Sequence, residues 1–127
     1  MIKKSLSDIP GTPITGSGFK NMTAHFALTK DDGMPHYALR IMEFGVGGCT
    51  SLHAHEEEHE FFFLEGEPGI VDGRGTLTRL KPGDAVYTAP DEMHQLVNLG
   101  DTTMRVVCTI PILPGGDGKA TVRHAGA

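Results

Sequence analysis

Residues 53–66 read HAHEEEHEFFFLEG, a run of histidines and glutamates that continues directly into three phenylalanines. In a β-strand, residues i and i+2 point to the same face, so His53 and His55 would project side by side. The three central glutamates can form a turn, and His59 would then open the next strand, where it can meet the first two histidines. The phenylalanines that follow need a core, which argues against a hairpin that floats free in solvent. From these residues alone, a metal site and an exposed charged hairpin both stay open.

The composition limits the class of protein. A chain of 127 residues suits one domain, and 17 glycines with 8 prolines suggest short strands joined by tight turns. The net charge is −5 and no cluster of lysines and arginines is present, which argues against nucleic acid and anionic membranes as partners. The N-terminus lacks the apolar run of a secretory leader, and no apolar run reaches transmembrane length. With two cysteines read as reduced thiols, we predict a cytoplasmic protein.

Strand-like runs alternate with turn signals every 8–12 residues, and no segment shows a helical apolar period. Short links force neighbouring strands to be antiparallel, and a set of nine to eleven such strands must cover its edges. We therefore predict an all-β fold, an antiparallel double-sheet jelly-roll β-barrel. The predicted strands are 25–29, 36–44, 49–55, 59–65, 69–71, 76–80, 85–89, 95–99 and 103–110.

Three segments complete the predicted organisation. Residues 1–22 form an extended arm with one short edge strand around Ile14, residues 23–113 form the barrel domain, and residues 114–127 form a tail with at most one added strand. The breaks between strands include DDG, GVGG and DGRG, and DDG and DGRG fit tight hairpins in which glycine supplies a positive φ. They stand at residues 31–33, 45–48 and 72–75.

A metal site also needs a donor from elsewhere in the chain. The segment PDEMHQLVN places His94 at the end of a turn, leading into a strand with Asn98 on the same side. The other histidines show no comparable pairing and are treated as structural or exposed. They are His25, His36 and His124.

At this point the sequence resembles the cupin family. The first cupin motif is a glycine, five residues, H-x-H, three or four residues, a glutamate, six residues and a glycine. Here Gly47 precedes His53 and His55, and six residues separate His59 from Gly66.

The second cupin motif also has a counterpart. It is a glycine, five residues, P-x-G, two residues, a histidine, three residues and an asparagine. The chain has Gly83, then APD at 89–91, His94 and Asn98, so that the resemblance covers about residues 45–110. The substitutions at 89–91 affect the shape of the turn and little else.

The resemblance departs from the family at the glutamate ligand, which is replaced by histidine. Glu60 satisfies a looser spacing to H-x-H, but only His59 has the six intervening residues before Gly66 that the motif requires, and alternation turns Glu60 to the opposite face. We therefore assign His59 as the ligand and keep Glu60 as the alternative. The resulting set resembles small single-domain cupins with four histidines. It comprises His53, His55, His59 and His94.

Four neutral imidazoles suit one divalent transition metal per chain: Mn, Fe, Cu, Ni, Co or Zn, with Mn or Fe favoured. Without a negative ligand, the metal should be a stronger Lewis acid than in a site with three histidines and a glutamate. A closed structural zinc site is the alternative. The resemblance implies ligands on one side of an octahedron, with two adjacent positions open for water, O₂ or substrate.

The sequence also suggests residues for a substrate pocket around the metal. Phe61 shares its strand face with His59, and Val106 and Cys108 share one face of the last long strand. Arg40 interrupts an apolar strand and could orient an anionic substrate, or it could be exposed or salt-bridged. The candidate pocket residues are therefore Arg40, Phe61, Val106 and Cys108.

The predicted function is that of a metal-dependent oxidoreductase or dioxygenase acting on a small molecule, with no protein nucleophile evident. Two alternatives stay open: a non-catalytic module that binds a small metabolite, and a metal-dependent isomerase or lyase. The resemblance further implies a homodimer.

Overall fold

Strands account for nearly all the regular structure of the chain. In the computed structural model, residues 1–120 are described, together with the backbone of a short strand at Arg123–His124. The strands are β1 (Gly11–Ile14), β2 (Lys20–Leu28), β3 (Tyr37–Cys49), β4 (His53–Ala54), β5 (His59–Glu65), β6 (Pro68–Asp72), β7 (Leu77–Arg79), β8 (Ala85–Thr88), β9 (His94–Asn98), β10 (Met104–Pro111) and β11 (Arg123–His124). Two 3₁₀ turns, Leu6–Asp8 and Lys30–Asp32, lie outside them.

The strands form one curled antiparallel sheet. Along its main path the order is β11-β4-β9-β3-β10-β5-β8, while β1 and β2 extend from β3, and β6 and β7 extend from β9. Every strand pairing among the described residues is antiparallel. The predicted all-β fold, an antiparallel cupin-type β-barrel, is confirmed.

The core lies inside the curl and is built by alternation. In β10 every second residue is buried, and Cys108 and Val106 are completely inaccessible to solvent. Val106 faces Phe63 on β5 and Met42 on β3, so that three adjacent strands contribute to one apolar layer. The same alternation buries His59 in β5 and exposes the next residue.

Two predicted breaks between strands differ in the structure. The glycines of GVGG do not end a strand, because β3 continues to Cys49. The pairing of β3 with β2 shifts register near Met22, and Gly47 adopts a positive φ of 74°. The segment is therefore an irregularity within β3 and not a turn between two strands. The DDG segment forms a 3₁₀ turn that Gly33 ends in a left-handed conformation.

The DGRG hairpin forms as predicted. It connects β6 to β7, with the Asp72 N–H donating to the Thr76 carbonyl and Gly75 at a positive φ of 83°.

At the two ends of the chain, β1 pairs with β2 and β11 pairs with β4. The division into arm, barrel and tail stays a prediction, and the side chains of residues 121–127 lie outside the described residues. In the described part of the chain, no helix has the length and hydrophobicity needed to span a membrane.

Gly66, at the end of β5, is a position where alanine should be costly. Its φ is +90°, and a Cβ there would lie 2.7 Å from the Thr103 carbonyl oxygen and 2.8 Å from the Met104 Cα. Gly75 has a similar φ of +83°, but a Cβ would meet nothing within 4 Å. Both alanine variants share the backbone strain, so Gly66→Ala should lose at least about 1 kcal/mol more unfolding free energy than Gly75→Ala. Urea denaturation of the two variants measures this difference, and equal losses would contradict it.

Candidate metal centre

Three histidines meet at the mouth of the curl. His53 lies on β4 directly opposite His94 at the start of β9, and His55 follows β4 by one residue. All three are buried, and one ring nitrogen of each lies within 4.8 Å of the others. Strand alternation and one strand pairing therefore bring together donors that are 41 positions apart in the chain, from residue 53 to residue 94.

Backbone carbonyls fix the orientation of these three rings. The Nδ1 of His53 lies 2.7 Å from the Ser51 carbonyl oxygen, and the Nδ1 of His55 lies 2.7 Å from that of Glu57. A carbonyl oxygen only accepts hydrogen bonds, so each Nδ1 must carry the proton and donate it. In a neutral ring, Nε2 is then the unprotonated nitrogen.

His94 follows the same rule, with its Nδ1 donating to the Glu92 carbonyl oxygen at 2.8 Å. Each of these three Nδ1 atoms thus bonds to a carbonyl two residues away. Histidines that bind metals commonly donate their second ring nitrogen in this way, which fixes the tautomer and the ring orientation. The donor set therefore fits a divalent transition metal, with Nε2 of His53, His55 and His94 as ligands.

His59 lies beside this cluster but in different surroundings. Its Nε2 is 2.7 Å from the Nε2 of His55. Its Nδ1 lies 3.3 Å from Nη2 of Arg40 and 3.0 Å from Sγ of Cys108. The four-histidine set stays a prediction: the structure brings His59 next to the other three, but with a different partner on its second nitrogen.

Burial favours the neutral form of two of the histidines, His59 and His94. The pKa of His59 is far below its usual value, chiefly because burial disfavours the charged ring and secondarily because of the Arg40 charge. Burial also lowers the pKa of His94, although Glu92 opposes this effect. The pKa of the Cys108 thiol is raised by burial, with Arg40 opposing. Neutral imidazoles are the form that binds metals.

The histidines open into a cavity of about 210 Å³. Its walls are mainly apolar and include Met22, Met42 and Phe61. Two cationic residues also line it, Arg40 on β3 and Lys119 after β10. Among the described lining residues there is no aspartate or glutamate. The cavity therefore combines a nitrogen donor cluster with positive charge and a hydrophobic surface.

The predicted pocket residues have different positions. Arg40 and Phe61 line the cavity, whereas Cys108 lies behind His59 and contacts it through sulfur. Val106 stands two residues before Cys108 on β10; it packs in the hydrophobic core and is not among the residues that line the cavity. Glu60 is exposed on the opposite face of β5.

Sequence reasoning missed the residues that both ends of the chain bring to the cavity. Ile14 and Phe19 come from the N-terminal segment, and Lys119 comes from the segment after the last long strand. Lys119 also stands 4.8 Å above the centre of the Phe26 ring. No local pattern marks these positions, since their role depends on how the termini fold back onto the barrel.

The sequence pattern of the cupin domain family matches residues 40–110, which is more than half of the chain. The chain belongs to the cupin family. This match contains the H-x-H segment, His59 and His94, so the histidine cluster occupies the part of the chain that defines the cupin domain.

Similar proteins have varied names. The polyketide cyclase RemF from Streptomyces resistomycificus superposes with a TM-score of 0.87 at 26% identity, covering 100% of this chain and 87% of that one. A predicted oxalate decarboxylase from Thermotoga maritima gives 0.78 at 25% identity, covering 88% of this chain and 100% of that one. An oxalate-binding protein from Thermotoga maritima is 29% identical over 72 residues, 57% of this chain and 60% of that protein. The chain spans between half and three fifths of the curated relatives it matches.

Proposed function

We propose that this cupin binds one divalent transition metal through its histidine cluster and acts on a small anionic molecule with carbonyl or carboxylate oxygens. The observation that carries the proposal is that one ring nitrogen of each of His53, His55 and His94 lies within 4.8 Å of the others, next to a cavity that Arg40 and Lys119 also line. Neutral nitrogen donors favour Mn, Fe, Co, Ni, Cu or Zn over Mg or Ca, and Mn or Fe stays the favoured choice.

The metal would act as a Lewis acid that polarises a bound carbonyl or carboxylate. Because its ligands are neutral, its positive charge would not be reduced by a carboxylate. Arg40 and Lys119 would bind the negative charge of the substrate, and Phe61 with Met42 would exclude water from it. With no acidic side chain among the described lining residues, a mechanism that needs a carboxylate base has little support.

The size and charge of the cavity support a small anionic substrate. A volume of about 210 Å³ is below the range of roughly 300–1,000 Å³ that is usual for drug-sized ligands. Two of the relatives have names that refer to oxalate, a small dicarboxylate that can bind one metal through two oxygens. We therefore propose small oxoacids as the first substrates to test.

Oxidation with O₂, in the manner of a dioxygenase, is the second candidate. The largely apolar cavity beside the histidines favours it, since such a cavity excludes water from reactive oxygen species. A binding module without catalysis is the third candidate. The metal dependence and the oxygen dependence of turnover distinguish Lewis-acid catalysis, oxidation with O₂ and binding without catalysis.

The test begins with the metal content of protein purified without added metal. The metal-free protein is then loaded in parallel with Mn, Fe, Co, Ni, Cu and Zn, and small oxoacids such as oxalate are tested with and without O₂. Turnover that persists with Zn under anaerobic conditions supports Lewis-acid chemistry, and O₂ consumption limited to Mn, Fe or Cu supports oxidation. Stabilisation by a ligand without turnover supports the binding module. A chain that takes up none of these metals contradicts the proposal.

Lys119 offers a test of anion binding. If its ammonium group attracts the substrate, Lys119→Met should weaken oxalate binding to the metal-loaded protein about 5-fold, which corresponds to about 1 kcal/mol for a solvent-accessible ion pair. Lys20→Met removes the same charge from an exposed position outside the cavity and should leave the affinity unchanged. Isothermal titration calorimetry measures both, and equal affinities of the two variants would exclude this role for Lys119.

A further inference from the structure

His94 lines a second cavity in addition to the one described above. This second cavity has a volume of about 140 Å³ and is lined by residues of the β6–β7 hairpin, of β8 and of the turn before β9. We call it the rear cavity, and we call the one lined by Arg40 and Lys119 the front cavity. Among the described lining residues, His94 is the only one that the two cavities share.

Strand pairing places the rear cavity directly beside the histidine cluster. Two of its lining residues are Asp72 on β6, which lies opposite His94, and Thr88 on β8, which lies opposite His59. Residues directly opposite each other on antiparallel strands point to the same face, with Cβ atoms roughly 4.5–5.5 Å apart. The rear cavity therefore adjoins the centre through two neighbouring pairs of side chains.

The hydroxyl group of Thr88 indicates what the rear cavity holds. Thr88 is only 3% exposed, and its Oγ1 has no hydrogen-bond partner among the described residues. A buried hydroxyl without a protein partner is usually paired with a bound water, because leaving it unpaired is costly. One water occupies about 30 Å³ in the liquid, so the rear cavity has room for a few water molecules.

The two cavities carry opposite charges. Arg40 and Lys119 line the front cavity, whereas Asp72 and Glu92 line the rear one, and the described lining residues of the rear cavity include no lysine or arginine. Backbone N–H groups donate to both carboxylates, and neither carboxylate forms an ion pair within the described part of the chain. The rear cavity therefore repels the anions that the front cavity attracts.

We propose that the rear cavity is a second, water-filled entrance to the metal centre, which admits water and other small uncharged molecules. Thr88 holds the water at the inner end of this entrance, and the carboxylates of Asp72 and Glu92 exclude anions from it. An anionic substrate in the front cavity and an uncharged co-reactant, water or O₂, then reach the centre by different routes. This inference rests on the proposed function, since the entrance serves the metal bound by the histidine cluster.

The water can be observed without any metal. A crystal structure of the metal-free chain should show an ordered water within hydrogen-bond distance of Thr88 Oγ1, about 2.5–3.0 Å. Thr88→Val has nearly the same shape but no hydroxyl, and it should lack this water. A wild-type chain with no water at Thr88, or the same water retained in Thr88→Val, would overturn the inference.

The route is tested by filling the rear cavity. Thr78 on β7 lies opposite Ile70, and both residues line this cavity, so Thr78→Trp places a large ring in it. Leu77→Trp is the matched control, because Leu77 is the neighbouring, exposed residue of β7 and is not among the lining residues. Nitric oxide is a small uncharged probe, and its association with the Fe²⁺-loaded protein should slow about 5-fold or more in Thr78→Trp and stay unchanged in Leu77→Trp.

Stopped-flow absorbance measures this rate, and azide supplies the anionic comparison. The association of azide with the Co²⁺-loaded protein should be the same in Thr78→Trp and in the wild-type chain, because anions use the front cavity. Unchanged nitric oxide binding in Thr78→Trp, or azide slowed as much as nitric oxide, contradicts the second entrance. If the chain takes up neither Fe²⁺ nor Co²⁺, the proposed function itself fails and the entrance has no centre to serve. Metal uptake therefore distinguishes this failure from the failure of the route.

Discussion

Replacing His94 with alanine should lower the affinity of the chain for Zn²⁺ or Mn²⁺ by more than roughly 100-fold, because loss of residues that merely orient ligands already costs 10–100-fold. His94 supplies one of the three clustered ring nitrogens, and it lies on β9, opposite His53 on β4. Of the three clustered histidines, His53 and His55 would remain. Competition with a chromophoric chelator measures the affinity at fixed pH.

The control for this variant is His36→Ala, which removes an exposed imidazole outside the cavity. It should bind metal as the wild-type chain does. Thermal denaturation with metal in excess supplies a second measure, since a metal present at 100 times its dissociation constant stabilises the fold by about 2.7 kcal/mol. This stabilisation should be lost in His94→Ala and kept in His36→Ala. Unchanged metal binding by His94→Ala would rule out the proposed centre.

The sequence predicts the histidine cluster well because its causes are mostly local. Alternation alone places His53 and His55 on one face, and it turns His59 inward and Glu60 outward. The motif spacing predicts His94 as a further donor. In the structure, the pairing of β4 with β9 places His94 directly opposite His53. The identity of the metal and a homodimer stay predictions.

The surroundings of the cluster could not be predicted in the same way. Whether Val106 faces the core or the cavity depends on its depth along β10, which alternation does not specify. Lys119 reaches the cavity through the path of the chain after β10, and the sequence around it contains only turn-forming residues. The contact partner of Nδ1 of His59 is Arg40, which lies 19 positions earlier in the chain and on another strand.

Acidification should destabilise the metal-free protein through its buried histidines. Burial holds the pKa of His59 and of His94 below the usual value of 6.5 in the folded state, with Arg40, His55 and Cys108 as the neighbours that face His59. The unfolded chain regains a pKa of about 6.5 at both positions and so binds more protons below that pH. Stability is therefore fully present above pH 6.5 and is lost as the pH falls through this value.

From pH 7.5 to pH 5.5, a histidine that stays neutral in the folded state should cost about 1.4 kcal/mol, which applies to His59, and His94 adds to this loss because burial lowers its pKa as well. Urea denaturation of metal-free protein at several pH values measures the loss, within a range where most carboxylates stay ionised. His59→Leu should show a clearly smaller pH dependence than the wild-type chain, because it keeps His94 but no longer has the His59 ring. His36→Leu, which removes an exposed histidine, should retain the full dependence. A free energy of unfolding that is constant across this range would mean that these rings are protonated without unfolding, and the centre would then be open to water.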